Sequence, residues 1–147
     1  MDKAKSISII TIGVKDIEKS VAFYQKLGFK YSKDSDKACT YMVSSNIVLG
    51  LLQHDVLSNE MGLEYQKIPK YNGVLLSING KNSEEVDLIF NTAINAGAYA
   101  HQKPCWKDWD GKKRYSGFIV DPDDHMWEIA YATALDIDEN CCIYPKI

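Results

Sequence analysis

A single carboxylate interrupts an apolar strand near the end of the chain. The stretch DPDDHMWEIA, residues 121–130, passes from a tight acidic turn into a strand that reads as buried, and Glu128 lies in that strand. A buried charge is costly unless a metal, a basic residue or a ligand pairs with it. Two interpretations stay open. A hydroxyl or water holds Glu128, or the acid contacts a bound molecule or serves as its general base.

Aromatic and basic residues alternate in the stretch KPCWKDWDGKKRYSG, residues 103–117. Trp106, Trp109 and Tyr115 are expected in or beside a polar, glycine-containing loop, where their flat faces suit a planar or cationic ligand. The basic run at 112–114 supplies charge for an anion. The alternative is that these aromatic residues cover a sheet edge or pack against a dimer partner.

The three histidines, His54, His101 and His125, offer little sign of a metal site. No two of them stand at a recognised ligand spacing, so each is better explained as a surface or hydrogen-bonded side chain. Only His101, on a strand that could border a binding site, is a candidate ligand.

The elements that must position these residues repeat once along the chain. Each half reads as a strand, a helix and three further strands. Module one spans residues 5–53, a polar connecting loop spans 54–72, module two spans 73–133, and a tail spans 134–147.

Each half contains one amphipathic helix with its own start and stop signals. Asp16 is a good N-cap and Gly28 a good stop for the first helix. Asn82 or Ser83 caps the second helix, and Gly97 ends it. The sequence therefore predicts a duplicated βαβββ unit.

Two motifs carry a resemblance to a known family. GVKDIEKSVAFYQKLGF, residues 13–29, and SGFIVDPDDHMWEIA, residues 116–130, resemble those of the glyoxalase, bleomycin-resistance and extradiol-dioxygenase group, also called the vicinal oxygen chelate (VOC) superfamily. The likeness covers nearly the whole chain as a single domain. It implies an α+β fold in which two pseudo-repeated βαβββ modules form a curved mixed sheet with a concave cleft and helices on the outer face.

Strand alternation sorts the side chains onto two faces. Core-facing residues of the last strand are Trp127, Ile129 and Tyr131. Residues assigned to the cleft face are Ile9, Thr11, Gly13, Val48, Gly50, Leu52, Gly73, Leu75, Ser77, Met126, Glu128 and Ala130. The candidate ligand-binding residues are Thr11, Ser77, Trp106, Trp109, Tyr115, Met126 and Glu128.

The resemblance also indicates where a metal ion would bind. Metal-dependent members place His, Gln or Glu ligands on the first and last strands of each module, and we align those positions with Ile9, Gly50, Gly73 and Glu128. Only Glu128 can coordinate an ion, whereas catalytic zinc sites usually take three protein ligands. No cofactor is therefore expected. The alternative is a divalent ion (zinc, nickel, manganese or iron) held at relocated ligands that include Glu128 and His101.

Three functions follow from the resemblance. The first is a protein that binds a small organic molecule in an aromatic-lined cleft, without the catalytic metal and without turnover, as bleomycin-resistance members do. The second is a lyase or isomerase resembling lactoylglutathione lyase, with Glu128 as base and Tyr115 assisting. The third is the divergent metal enzyme.

Charge and hydropathy limit the kinds of binding partner and the cellular location that we expect for the protein. The net charge of −3 gives no electrostatic footprint for nucleic acid. No stretch is apolar enough to span a bilayer and no signal-peptide pattern is present, so we expect no membrane partner and a cytoplasmic location. A homodimer is expected from the resemblance.

Overall fold

The structure is a computed structural model that describes residues 6–45 and 47–143. The chain divides into two compact units, Met1–Gln66 and Lys67–Ile147. The first unit contains β1 (Ile9–Val14), α1 (Ile17–Lys26), β2 (Lys30–Tyr31), β3 (Thr40–Val43), β4 (Val48–Gln53) and α2 (His54–Glu60). The second contains β5 (Leu76–Asn79), α3 (Ser83–Asn95), β6 (Tyr99–Trp109), β7 (Lys112–Val120) and β8 (Met126–Ala132).

The first unit is a four-stranded mixed sheet in the order β1-β4-β3-β2. β1 runs parallel to β4, and the other pairs are antiparallel. The predicted limits of α1 are confirmed, because the Asp16 side chain accepts a hydrogen bond from the Lys19 amide at 3.1 Å. Gly28 follows the helix at φ +91°, a conformation that glycine adopts at little cost. Phe23 and Tyr24 are buried and form the core of this unit.

The second unit repeats this pattern in the order β5-β8-β7-β6. Its helix α3 is capped by Asn82, whose side chain accepts from the Glu85 amide at 2.8 Å, so Asn82 and not Ser83 is the N-cap. The buried side of α3 carries Val86 and Phe90, and Ile129 is buried on the sheet. The predicted α+β fold with two βαβββ modules is confirmed.

Two predictions of secondary structure from the sequence were wrong. Residues 54–60 were expected to lie in a connecting loop but form α2, a short helix with no side-chain cap and therefore without the usual start signal. Trp106 and Trp109 were expected in or beside a loop, but both lie in β6, which extends to the turn of a long hairpin. The polar and charged residues around them concealed the strand. No helix within 6–45 or 47–143 is long and apolar enough to cross a membrane.

The β6–β7 hairpin is regular near its turn and irregular near its base. Asp110 at φ 53° and Gly111 at φ 75° form the two-residue connection that a hairpin favours. Further down, the register shifts between Ala100 and Gln102 and again between Gln102 and Cys105. At this irregularity a Cβ atom on Gly117 would lie 2.8 Å from the Pro104 nitrogen, so glycine permits the close approach of the two strands.

The turn offers a first prediction. Gly111→Ala should lower the free energy of unfolding by about 1–2 kcal/mol, because a Cβ atom is strained at positive φ. Asp110→Asn should change stability little, since asparagine tolerates the left-handed region as aspartate does. Urea-induced unfolding followed by fluorescence measures both, and a Gly111→Ala variant as stable as wild type would contradict the assigned turn.

Candidate functional site

Glu128 is 5% exposed and has two partners. The Ser77 hydroxyl donates to its Oε2 at 3.2 Å. The Arg114 guanidinium lies on the other side, with Nη2 3.4 Å from Oε1. The sequence suggested Ser77 as one possible partner, and that hydrogen bond is present. The basic partner was not identified from the sequence as a partner of Glu128.

Strand register explains why these residues meet. Ser77 on β5 is paired with Glu128 on β8, and Glu128 is paired with Phe118 on β7. Side chains two residues apart on a strand share a face, so Ser116 and Arg114 lie on the same side as Phe118. We call this side of the second sheet the Glu128 face. It is defined by Ser77, Lys107, Trp109, Lys112, Arg114, Ser116, Phe118, Met126 and Glu128.

A second cation lies beside the Glu128–Arg114 pair. Lys107 is half-buried, and its Nζ donates to the Ser116 hydroxyl at 3.1 Å. The same ammonium lies 4.4 Å from the centroid of the Phe118 ring. The Arg114 guanidinium carbon lies 4.9 Å from the centroid of Trp109, whose residue is 69% exposed. With Lys112, which is paired with Trp109, the Glu128 face therefore combines three cations, one carboxylate and two aromatic rings.

The other aromatic candidates lie on the opposite side of the sheet. Trp106 is paired with Tyr115, and Tyr115 with Tyr131, which places the three side chains on the side covered by α3. The ring of Trp106 lies 5.3 Å from that of Tyr115 and 6.3 Å from that of Tyr131. The Tyr115 hydroxyl donates to Asp87 of α3 at 3.0 Å. The structure thus separates Trp106 and Tyr115 from Glu128.

The environment of Tyr115 predicts a pH effect. Burial, and then the hydrogen bond to Asp87, raise the pKa of Tyr115 above the ordinary value of 10.0. Below pH 10 both the folded and the unfolded chain keep this proton. Above it the unfolded chain ionises first, and the stability contribution of Tyr115 is lost as the pH rises through its raised folded pKa.

The free energy of unfolding of wild type should therefore fall more steeply above pH 10 than that of Tyr115→Phe. Tyr99→Phe, at an exposed position on β6, is the control and should keep the wild-type slope. Urea unfolding at a series of pH values measures the slopes. Equal slopes for wild type and Tyr115→Phe would contradict the raised pKa of Tyr115 that burial and the hydrogen bond to Asp87 produce.

The acidic turn before β8 is held together by Asp121. This residue is 4% exposed, and its Oδ1 accepts from the amides of Asp123 and His125, both at 2.9 Å. Its Oδ2 accepts from the Trp127 indole at 3.3 Å. Asp121 therefore fixes the entry into β8 and, with it, the position of Glu128.

Comparison with protein families identifies the fold. Residues 6–129 match the model of the Glyoxalase/Bleomycin resistance protein/Dioxygenase superfamily. The chain belongs to this superfamily. A search of curated proteins gave no match.

Several solved structures resemble the chain closely in fold. A glyoxalase-related enzyme from Fulvimarina pelagi has a TM-score of 0.82 at 22% identity, over 98% of this chain and 100% of that one. A glyoxalase/bleomycin resistance protein/dioxygenase family enzyme from Burkholderia phytofirmans PsJN has a TM-score of 0.75 at 23% identity, over 86% of this chain and 98% of that one. A hypothetical protein from S. aureus has a TM-score of 0.72 at 25% identity, over 87% and 94%.

The superfamily resemblance implies a metal at positions that this chain fills with other groups. Glu128 is ion-paired with Arg114, so a fixed cation already lies beside the carboxylate. Gly50 has no donor, and a Cβ atom built on it would lie 2.9 Å from the Thr11 hydroxyl oxygen. Thr11 thus occupies the space in which a side chain at position 50 would begin. This donor set does not fit a divalent metal of the kind that metal-dependent members hold.

Strand register also corrects our alignment of the two modules. Ile9 was matched with Gly73, but Gly50 is paired with Thr11 and Glu128 with Ser77. If positions 50 and 128 correspond, Thr11 corresponds to Ser77, two residues away from the earlier match. Ile9 then corresponds to Leu75, and neither residue has a side-chain donor for a metal.

His101 lies on β6 with its side chain exposed. Among residues 6–45 and 47–143, no group of three or more His, Cys, Asp or Glu side chains is arranged to hold a metal ion. Met126, the remaining candidate, is half-buried at the start of β8 and shares the face of Glu128 by alternation.

Proposed function

We propose that this superfamily member binds a small organic molecule on the Glu128 face and that binding needs no divalent metal. The observation that carries the proposal is the ion pair between buried Glu128 and partly buried Arg114, 3.4 Å apart. In metal-dependent members an acid at this point holds an ion. Here the guanidinium of Arg114 lies beside the acid and balances its charge.

The surroundings of the pair suit a ligand with an apolar part. Trp109 exposes most of its surface near the hairpin turn, and Phe118 lies on the same face further along β7, opposite Glu128. Exposed aromatic rings next to a few fixed polar groups are typical of small-molecule sites. The pair supplies the fixed polar groups, since Ser77 and Arg114 both orient the carboxylate.

Binding is favoured over turnover by the contacts of the acid. The Oε2 atom of Glu128 accepts a hydrogen bond from Ser77, whereas Oε1 is ion-paired with Arg114 at 3.4 Å and accepts no hydrogen bond from the described residues. To abstract a proton, Glu128 would have to lose its ion pair with Arg114 or its hydrogen bond with Ser77. Tyr115, the residue expected to assist, bonds to Asp87 on the opposite face. We therefore propose that Glu128 positions Arg114 rather than acting as a general base.

A metabolite screen by thermal shift, combined with elemental analysis, tests the proposal. A ligand that binds only the folded chain raises its melting temperature by mass action. We expect at least one small metabolite to do so equally with and without EDTA, in protein that contains no stoichiometric metal. A metal retained at one per chain, and lost together with ligand binding in Glu128→Gln, would contradict the proposal. Turnover abolished in a folded Glu128→Gln variant would favour the lyase or isomerase instead.

The homodimer and the cytoplasmic location stay predictions. The dimer is supported by the resemblance to the superfamily, whose members commonly form pairs. Light scattering coupled to gel filtration tests the dimer, which predicts a mass twice that of the chain.

A further inference from the structure

We infer that the ligand of the Glu128 face is a small organic anion with an aromatic part, its carboxylate or phosphate held between Lys107 and Arg114. The inference rests on the proposed function and names the chemical class that the site takes. It follows from the position of the two cations, the charge of the face and the aromatic side chains beside them.

Lys107 and Arg114 are directly opposite each other on neighbouring strands. They are Cα partners in the β6–β7 register, and both side chains lie on the Glu128 face. Like charges directly opposite in an antiparallel pair are destabilising. An anion placed between them would convert this repulsion into two attractive contacts.

Lys107 lacks the acidic partner that Arg114 has. Its ammonium contacts a neutral hydroxyl, that of Ser116, and the face of the Phe118 ring. Within the described parts of the chain, 6–45 and 47–143, no carboxylate forms an ion pair with it. A half-buried ammonium of this kind is a strong donor for an oxyanion, because hydrogen bonds between charged groups are about twice as strong as neutral ones.

Arg114 also keeps donor capacity. One of its terminal nitrogens faces Glu128, whereas its Nε is buried with no hydrogen-bond acceptor within the described residues. A buried donor without an acceptor is costly, and a ligand oxygen that reached it after a small shift of the guanidinium would remove that cost. The side chain is 28% exposed, so one side of the guanidinium remains accessible.

The net charge of the face favours an anion over a cation. Of the residues that define the Glu128 face, three are cationic (Lys107, Lys112 and Arg114) and one, Glu128, is anionic. The exposed ring of Trp109 lies against Arg114, so a flat group on the ligand could pack beside the charged contact.

Three ring compounds that differ in charge test this inference, namely benzoate, benzamide and benzylamine. Titration of the full-length chain, followed by amide resonances of β6 and β7 and the Trp109 indole resonance, gives each dissociation constant. We expect benzoate to bind at least about tenfold more tightly than either of the other two, a ratio that corresponds to one good charged contact. Phenyl phosphate in the same assay distinguishes a phosphate site from a carboxylate site.

Lys107→Met should weaken benzoate about tenfold and leave benzamide almost unchanged. Lys113→Met is the matched control, because Lys113 has the same charge on the same hairpin but the opposite face, and its benzoate affinity should stay within about twofold. Lys107→Gln repeats the test if Lys107→Met folds poorly.

Two outcomes would overturn the inference. If benzamide or benzylamine binds as tightly as benzoate, or if Lys107→Met and Lys113→Met behave alike, the ligand is not an anion held by Lys107, although the proposed small-molecule site stands. If none of the four probes perturbs the face at millimolar concentration, the anion inference fails too, and the metabolite screen alone then decides the proposed function.

Discussion

Arg114→Met is expected to lower the free energy of unfolding by about 2–4 kcal/mol, near the range measured when one member of a buried ion pair is removed. Glu128 would then stay 5% exposed with the Ser77 hydroxyl as its remaining assigned contact. The partial exposure of Arg114 keeps the estimate below the largest measured costs. Urea-induced unfolding monitored by fluorescence and by circular dichroism measures the change.

The double variant Arg114→Met with Glu128→Met tests whether the loss of stability comes from breaking the ion pair or from changing the side chain at position 114. Replacing both charges by apolar groups of similar size is often neutral, so the double variant should be more stable than Arg114→Met alone. Lys113→Met, next to Arg114 on the other face, should change stability by less than about 0.5 kcal/mol. The single variants Arg114→Met and Glu128→Met each lose some free energy of unfolding. If the double variant loses the sum of these two amounts, Glu128 and Arg114 do not interact.

Asp121→Ala is the second change with a large expected effect, about 2–4 kcal/mol of destabilisation. It removes the acceptor of two backbone amides and of the Trp127 indole, and a buried donor left without an acceptor costs about 1–3 kcal/mol. Because the turn fixes the start of β8, resonances of Glu128 and its neighbours should shift as well. Thermal unfolding and an amide spectrum of the variant provide the two measurements.

Asp121→Asn refines this prediction. Its amide oxygen can still accept from the Asp123 and His125 amides, but its NH₂ group would face the Trp127 indole donor. Asp121→Asn should therefore lower the free energy of unfolding by less than Asp121→Ala does. Asp34→Ala, at an exposed turn in the first unit, is the control and should be nearly neutral. Equal stabilities for Asp121→Ala and Asp34→Ala would refute the structural role of Asp121.

Much of the fold could be predicted because the local signals agree with the tertiary structure. Asp16 and Asn82 cap the two helices, and the burial of Val86 and Phe90 follows from helical spacing. Alternation in β5 and in β8 placed Ser77 and Glu128 on one face, where they are hydrogen-bonded. These features depend on periods of 3.6 and 2 residues, which a single sequence displays directly.

Arg114 could not be assigned to Glu128 because strand pairing was not known. The turn at 121–125 sets Val120 opposite Met126, and from there Phe118 opposite Glu128. Counting back along β7 by twos would have placed Arg114 on the same face, had β7 been extended to residue 112. The polar residues and two tryptophans in this part of the sequence do not show the alternation typical of a strand, so the extension of the hairpin was not predicted. The same error put Trp106 and Trp109 on a loop, whereas their opposite orientations follow from the strand alternation of β6.

The irregular base of the β6–β7 hairpin has a consequence for the protein at high concentration. β6 is the last strand of its sheet and eleven residues long, and a flat edge of this length is a template on which further chains add and aggregate. Its two register shifts bend the strand, and Pro104 offers no N–H to an incoming chain. The irregular base of β6 thus lowers the tendency of this sheet edge to pair with further chains.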